Sequence, residues 1–295
     1  MKRTHFLSRH RTIGGQNSAF TLLELLVVIA TVAILATLMV PALAHTDDNG
    51  ARMVCMNNLR QLGLAEGMYA ADNRDSLPYP NWDGGNSSTA PRGWLYSMDP
   101  HKGLPAGFPT GQCPNPYSIV APYSLLTKPV NGATAWQSGA WFQYVRNYKS
   151  YLCPVDIESR DYAPPSLTGG RVNKLSTYVM NGAIVGYTGG ITSETTCKIT
   201  DVWNPACYLL WEPDENANGL NNPGPYDYND GANFPNTSEG IGRLHSANSG
   251  NMLCVGGNVQ FVTVQTFHQQ SIVGSGPGPG GKTLAWWYPG SAGGN

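Results

Sequence analysis

The sequence predicts an α+β fold, in which a long N-terminal helix precedes a β-rich globular domain with an antiparallel sheet and long loops. Two observations favour this fold. The first is an apolar run from Ala19 to Ala44, which would make about seven helical turns. The second is the content of 35 glycines and 22 prolines in 295 residues, which is typical of a chain with many turns and short strands.

The apolar run, "AFTLLELLVVIATVAILATLMVPALA", holds one charged residue, Glu24. As a helix it would extend roughly 39 Å, which exceeds the hydrocarbon thickness of a bilayer, about 30 Å. Basic residues and no acidic residue precede it within 1–19, whereas Asp47 and Asp48 follow it. The positive-inside rule therefore predicts a cytoplasmic N-terminus and an exported C-terminal part.

A cleaved secretory signal is an alternative interpretation of this segment. The residues "PALA" before His45 have the small-x-small pattern of a signal-peptidase site after Ala44. Cleavage there would release a secreted, aromatic-rich binding module, for instance for carbohydrate. Glu24 argues against this interpretation, because a plain signal has no use for a carboxylate near the start of its apolar run.

The stretch "AFTLLELLVVIATVAIL" resembles the class III signal of type IV pilins and type II secretion pseudopilins, with Phe at +1 and Glu at +5. The resemblance implies that a prepilin peptidase removes the basic leader, residues 1–19, by cutting between Ala19 and Phe20. Phe20 would then be N-methylated, and residues 20–44 would form the helix of the membrane span and later of the filament core. Ala19 departs from the family pattern, in which this position is usually Gly.

Glu24 lies where a carboxylate is costly unless it has a partner. Cleavage before Phe20 would create a cationic α-amino group on the same helix face, about 6 Å away along the axis. The two charges could pair within one chain. The resemblance implies instead that Glu24 pairs with the Phe20 ammonium of a neighbouring subunit and fixes the register of a helical filament.

The resemblance thus implies a structural subunit, not an enzyme, of a type II secretion pseudopilus or a type IV pilus-like filament. Its partners would be other pilin or pseudopilin subunits, the prepilin peptidase/N-methyltransferase and an inner-membrane assembly platform. The precursor would cross the inner membrane once, and the filament would be periplasmic or extracellular. A formal net charge of -1 argues against a nucleic-acid partner.

The remaining chain predicts three segments: a linker at 45–50, an amphipathic helix at 51–74 that packs on the sheet, and a β-rich domain at 75–295 with a Gly/Pro-rich C-terminal tail. The stretch "CMNNLRQLGLAEGMYAADN" resembles the block that follows the pilin helix in a large pseudopilin-like group. The helix prediction rests on one apolar stripe: Cys55, Leu59, Leu62, Ala65 and Tyr69.

The stretch "NMLCVGGNVQFVTV" predicts two strands around a Gly256-Gly257 turn. It is similar to the terminal hairpin of the same group, in which a His precedes an Asp-Gly turn. Gly256 here occupies the place of the Asp. We therefore expect His245 to be a structural residue and not a ligand.

Oxygen-bearing side chains cluster in "DENANG", Asp214 to Gly219, which matches the first half of a calcium loop. Pro225 stands where an EF-hand has its Glu, so an EF-hand is excluded. A solvated Asn/Asp/Gly turn cluster explains the same residues. No other cofactor is predicted, and the candidate calcium ligands are Asp214, Asn216, Asn218 and Asp227.

No catalytic set is organised in the sequence, and Glu212 is interpreted as part of an acidic loop. The stretch "GPGPGGKT" at 276–283 matches the P-loop pattern, but Pro277 and Pro279 lack the amides that would bind phosphate, so no nucleotide site is predicted. The cysteines form no Cys-x-x-Cys pair, which disfavours a zinc ribbon and leaves up to three disulfides open. These six residues are Cys55, Cys113, Cys153, Cys197, Cys207 and Cys254.

Overall fold

The computed structural model describes residues 21–81, 92–96, 135–158, 175–186, 196–213, 231–235 and 240–295. Within residues 36–49 it describes the helical backbone only. The chain divides into two compact units, Met1–Asp47 and Asp48–Asn295. The second unit holds the sheet and the buried core.

Helix α1, Leu22–Asp72, is the longest element, with 51 residues. It includes residues 45–50, where the sequence predicts a linker. This segment contains no proline, and its one glycine, Gly50, disfavours a helix by only about 1 kcal/mol relative to alanine. The boundary between the two compact units still falls inside it. Within the part of the chain that the structure describes, no helix is both long and apolar enough to cross a membrane.

The apolar stripe predicted for the second half of α1 is confirmed. Four of its side chains are fully buried, and the fifth is partly buried against the same core; in order they are Cys55, Leu59, Leu62, Ala65 and Tyr69. Nearer the start of this stripe, the Arg52 guanidinium lies 3.6 Å from the centroid of the Phe261 ring. A cation–π contact therefore adds to the apolar packing between the helix and the sheet.

Five strands of the described residues form one mixed sheet in the order β3-β1-β2-β4-β5. They are β1 Val179–Asn181, β2 Tyr208–Trp211, β3 Ala232–Asn233, β4 Ser249–Cys254 and β5 Val259–Thr263. The antiparallel prediction is correct for three neighbouring pairs and wrong for β1 and β3, which are parallel. The chain reverses direction into β2 and again between β2 and β3, across residues 212–231, so β3 runs parallel to β1 and pairs with it on the side away from β2.

The predicted hairpin at the end of the sheet is confirmed, since β4 and β5 pair antiparallel from Ser249↔Thr263 to Leu253↔Val259. The turn is closed by bonds from the Cys254 amide to the Asn258 carbonyl (2.9 Å) and from the Gly257 amide to the Cys254 carbonyl (2.8 Å). Gly257 has a φ of 80°, a conformation that favours glycine. The second glycine of the pair thus supplies the left-handed residue of the turn.

Three shorter helices follow α1 among the described residues: α2 Phe142–Val145, α3 Pro154–Ile157 and α4 Val264–Gln270, of which α4 contacts β5. Single 3₁₀ turns occur at Ala135–Ser138, Tyr148–Tyr151, Gly182–Ile184, Ile199–Asp201 and Pro279–Gly281. In the last of these regions the Gly276 and Gly278 amides bond to the carbonyls of Gly281 and Lys282. Lys282 Nζ donates to the Ser291 and Ala292 carbonyls. These groups hold the tail together.

Tryptophan rings fill much of the core. Four of the six buried indole N–H groups bond to backbone carbonyls, whereas those of Trp141 and Trp211 have no hydrogen-bond partner among the described residues. Trp94 Nε1 donates to Gly231 (2.9 Å) and Trp287 Nε1 donates to Tyr208 (2.9 Å). Such a bond compensates the burial of the one polar atom of the ring. The indoles with at most 3% exposure are Trp94, Trp136, Trp141, Trp211, Trp286 and Trp287.

Two glycines of α1 give a matched test of its packing. A Cβ on Gly67 would meet no atom within 4 Å, whereas a Cβ on Gly63 would lie 2.9 Å from Leu253 Cδ1 and 3.2 Å from the Gly257 carbonyl oxygen. We predict that Gly67→Ala raises the free energy of unfolding by about 0.5–1 kcal/mol, the helix-propensity gain of alanine. Gly63→Ala should show no gain or a loss. Equal stabilisation of both variants in denaturant titrations would contradict this packing.

Glu66 gives a pH-dependent prediction. Its side chain is buried in α1, neither oxygen has a hydrogen-bond partner among the described residues, and burial raises its pKa well above the usual value of 4.5. The folded protein therefore binds a proton that the unfolded chain releases above that value, so Glu66 costs stability increasingly as pH rises. We predict that Glu66→Gln stabilises the protein more at about pH 8 than at about pH 4.

The stabilisation by Glu66→Gln should increase by at most about 1.4 kcal/mol per pH unit, which is the value for the binding of one proton. The matched control is Glu158→Gln, because the Glu158 side chain is exposed. Thermal unfolding of the three proteins across this pH range measures the difference. A Glu66→Gln gain that does not change with pH would contradict the assignment of a buried neutral acid.

Candidate functional site

The first turns of α1 expose apolar side chains on every side. Residues 25–29 are consecutive apolar residues, and at 100° per residue they cover the whole circumference of the helix. The ten large apolar side chains of this region have exposures from 48% to 81%. They are Leu22, Leu23, Leu25, Leu26, Val27, Val28, Ile29, Val32, Ile34 and Leu35.

Glu24 caps the start of this helix. The Thr21 amide and hydroxyl both donate to Glu24 Oε2, at 2.9 and 2.8 Å, and the Glu24 amide donates back to Thr21 Oγ1 at 3.2 Å. This is a capping box, in which the side chains of residues i and i+3 satisfy amides of the first turn. The pattern Thr-Leu-Leu-Glu at 21–24 is the sequence signal of this capping box, which gives Glu24 a local role besides that of a pairing charge.

The other site residues predicted from sequence lie outside the described residues. They are Ala19 and Phe20 at the predicted cleavage point, and Asp214, Asn216, Asn218 and Asp227 of the candidate calcium loop. Their predictions stay predictions. Five of the six cysteines are described, and all five are buried free thiols: Cys55, Cys153, Cys197, Cys207 and Cys254.

A buried Cys-His-Glu cluster, made of Cys55, Cys153, Glu212 and His245, lies where four parts of the second unit meet. Cys55 comes from α1, Cys153 immediately precedes α3, Glu212 immediately follows β2, and His245 lies in the loop before β4. One atom of each side chain lies within 4.8 Å of the corresponding atom of every other. Residues far apart in the sequence thus converge on one point.

Hydrogen bonds from neighbouring residues fix the Cys153 corner of the cluster. Asn58 Nδ2 of α1 donates to the Leu152 carbonyl (2.9 Å), and the Ser150 hydroxyl donates to Gln61 Oε1 (2.6 Å). On its other side the Cys153 amide donates to Thr177 Oγ1 (2.6 Å). The segment before α3 is therefore tied both to the helix and to the chain that leads into β1.

The Glu212 and His245 corners are fixed by the sheet. Glu212 follows the last residue of β2, and a bridge between Pro213 and Ile241 keeps the chain before His245 beside it. The exposed fractions of the His245 and Glu212 side chains are 1% and 0%. Both side chains are therefore removed from water. Full burial is uncommon for His and rare for Glu, unless the carboxylate is paired.

The imidazole is the centre of the cluster. His245 Nε2 lies 3.3 Å from Cys153 Sγ and 3.3 Å from Glu212 Oε1. Burial lowers the pKa of His245, but its contacts with Cys153 and Glu212 raise it to about 10. Burial raises the pKa of the Cys153 thiol, and its contacts with Cys55 and Glu212 raise it further. Without another cation, the cluster thus contains neutral Cys153 and a His245 cation beside Glu212.

This geometry does not suit nucleophilic catalysis. A Cys-His-Glu relay needs the thiol on one ring nitrogen and the carboxylate on the other, so that the ring passes a proton between them. Here the same nitrogen, Nε2, faces both groups, and Nδ1 has no hydrogen-bond partner among the described residues. The arrangement is instead a set of sulfur, nitrogen and oxygen atoms that face one another.

The sequence predicts His245 as a structural residue and not a ligand, and it does not associate His245 with the cluster. His245 lies 92 positions after Cys153 and 33 after Glu212, so no short motif joins them. The sequence places Glu212 in an acidic loop, whereas it is fully buried directly after β2. The available signal was its position directly after the apolar residues of β2, "YLLW".

A protein-family model matches part of the chain. Residues 50–213 match the model of a family described as a protein of unknown function, DUF1559. No curated protein and no solved structure matches the chain. The matched range covers more than half of the 295 residues and includes three members of the buried cluster, Cys55, Cys153 and Glu212. The chain therefore belongs to the DUF1559 family.

Proposed function

We propose that this protein is a pilin-like structural subunit that assembles through the first part of helix α1. The observation that carries the proposal is that the first part of α1 is apolar on all sides and has one carboxylate, Glu24, at its start. The family match begins at residue 50, so the support comes from a region outside the matched range.

The distribution of apolar residues supports a role in assembly. A helix that packs on its own domain needs one apolar stripe, as in the second half of α1, whereas a helix that is apolar all round needs an apolar environment on every side. Lipid or a bundle of identical helices provides such an environment. In the proposed pathway the helix enters both environments in turn. It lies in lipid in the single-pass precursor of the inner membrane, and it lies among identical helices in the periplasmic or extracellular filament.

The capping box is compatible with pairing between subunits. Both bonds that Thr21 donates to Glu24 end on Oε2, so Oε1 lies outside them. In the proposed filament the cationic N-terminus of a neighbouring subunit, created by cleavage before Phe20, approaches this second oxygen. Glu24 then serves twice, as the cap of its own helix and as the charge that sets the axial register.

The proposed partners are other pilin or pseudopilin subunits, the prepilin peptidase/N-methyltransferase and an inner-membrane assembly platform. The subunit has no catalytic role in this proposal. The alternative is a secreted, aromatic-rich binding module released after Ala44. Against it, six indoles of the described residues are buried in the core and therefore cannot stack on a sugar.

The identity of the first residue of the mature protein distinguishes the filament subunit from the secreted binding module. We predict that mass spectrometry of protein from cells with a prepilin peptidase finds N-methylated Phe20. Cells without the peptidase should retain the full leader. An Ala19→Gly variant should be processed at least as completely as the wild type, because Gly is the usual residue before this cut in the resembling family. A mature chain that begins at His45 would contradict the proposal and support the secreted module.

Two substitutions separate the pairing charge of Glu24 from its capping role. Glu24→Gln removes the charge and keeps an acceptor for the Thr21 amide, whereas Thr21→Val keeps the charge and removes the hydroxyl of the capping box. We predict that Glu24→Gln greatly lowers the yield of sheared filaments, that Thr21→Val leaves it near the wild-type value, and that both precursors insert into the membrane normally.

Filament yield and membrane-inserted precursor are measured in the same cultures by immunoblotting. Wild-type filament yield from Glu24→Gln would contradict the role assigned to the charge. An equal loss in both variants would also contradict it, because the capping box alone would then explain the effect.

A further inference from the structure

We propose that the buried Cys-His-Glu cluster is a structural site for one soft divalent cation of the Zn²⁺ type. The ligands are Cys55 Sγ, Cys153 Sγ, His245 Nε2 and one oxygen of Glu212. A cation there joins the second half of α1 to the sheet. This inference concerns the stability of the second unit and is independent of the assembly proposed for the N-terminal part of α1.

The two distances from His245 Nε2 are close to the edges of a tetrahedral site. With zinc–nitrogen and zinc–oxygen bonds of about 2.05 Å and zinc–sulfur bonds of about 2.3 Å, a tetrahedron has N···O edges of about 3.3 Å and N···S edges of about 3.6 Å. The observed separations from His245 Nε2 are 3.3 Å to Glu212 Oε1 and 3.3 Å to Cys153 Sγ. For these two edges, shifts of a few tenths of an ångström therefore suffice, and the remaining edges between ligand atoms lie within 4.8 Å.

The donor set selects the class of cation. Thiolate and imidazole ligands favour zinc and other soft or borderline transition metals, whereas calcium and magnesium prefer a shell of oxygens. Four protein ligands complete a tetrahedral zinc shell, and closed shells are typical of structural sites. The full burial of Cys55, Cys153 and Glu212 leaves no open position for a substrate.

The burial itself is an independent sign of a missing partner. Glu212 is fully buried, and its Oε2 has no hydrogen-bond partner among the described residues. A buried polar oxygen normally has a hydrogen-bond partner or a metal ion beside it. A divalent cation beside Glu212 supplies such a partner at the point where two thiols and an imidazole also converge.

Binding involves no electron transfer. The cation forms bonds to two sulfurs, one nitrogen and one oxygen, and the protons of the Cys55 and Cys153 thiols and the Nε2 proton of the His245 cation pass to solvent. The competing chemistry is a disulfide between Cys55 and Cys153, which requires an external two-electron oxidant and removes both sulfur ligands. The metal-bound state and the disulfide state exclude each other in any one molecule, because both use the sulfurs of Cys55 and Cys153.

The first experiment measures metal content. The full chain is purified in detergent under anaerobic conditions with Zn²⁺ present, dialysed, and analysed by elemental mass spectrometry. We expect one zinc per chain in the wild type and in the control Cys207→Ser, which alters a buried thiol outside the cluster. Cys153→Ser should lose it. Equal zinc content in Cys153→Ser and wild type would overturn the proposal.

The second experiment uses the wild-type protein alone, so it does not depend on the folding of a variant. Co²⁺ replaces Zn²⁺, and absorption then reports sulfur-to-cobalt charge transfer and tetrahedral d–d bands. We expect both signals at one equivalent, and we expect a chelator to lower the midpoint of thermal unfolding. A spectrum of octahedral cobalt without thiolate bands, or an intact mass that shows a Cys55–Cys153 disulfide in the anaerobic sample, would overturn the proposal.

Discussion

The packing of one face of helix α1 against the sheet is the constraint on which the rest of the described structure depends. Leu59 and Leu62 bury the helix in the main core, and Gly63 lets its backbone approach the β4–β5 turn. The same face carries Cys55 and Glu66 into regions without water. The buried cluster and the neutral buried acid thus follow from the placement of one helix.

The helix changes character along its length, and this change links fold to proposed function. Residues 22–35 are apolar on all sides, whereas residues 55–69 present one buried stripe and otherwise more polar faces. The second pattern is satisfied by the sheet of the same chain. The first pattern requires partners or lipid around the helix, which is the physical basis for proposing a subunit of a filament.

The sequence predicted those features that depend on local periodicity. The stripe from Cys55 to Tyr69 and the strands around Gly256-Gly257 are present as expected, because each pattern is short and strongly periodic. The parallel pairing of β1 and β3 was missed because register between distant strands leaves no local signal. The buried cluster was missed for the same reason, since its four side chains meet only after the sheet has formed.

The most direct test of the central claim is photo-crosslinking in living cells from Ile29, a residue in the all-apolar part of α1. A photoreactive amino acid at this position should yield a ladder of covalent homo-oligomers when the assembly machinery is present. The same probe at Lys149, an exposed residue of the second unit, serves as the control and should yield no comparable ladder. Crosslinks from Ile29 to lipid alone, or none, in cells with the complete machinery would contradict the account.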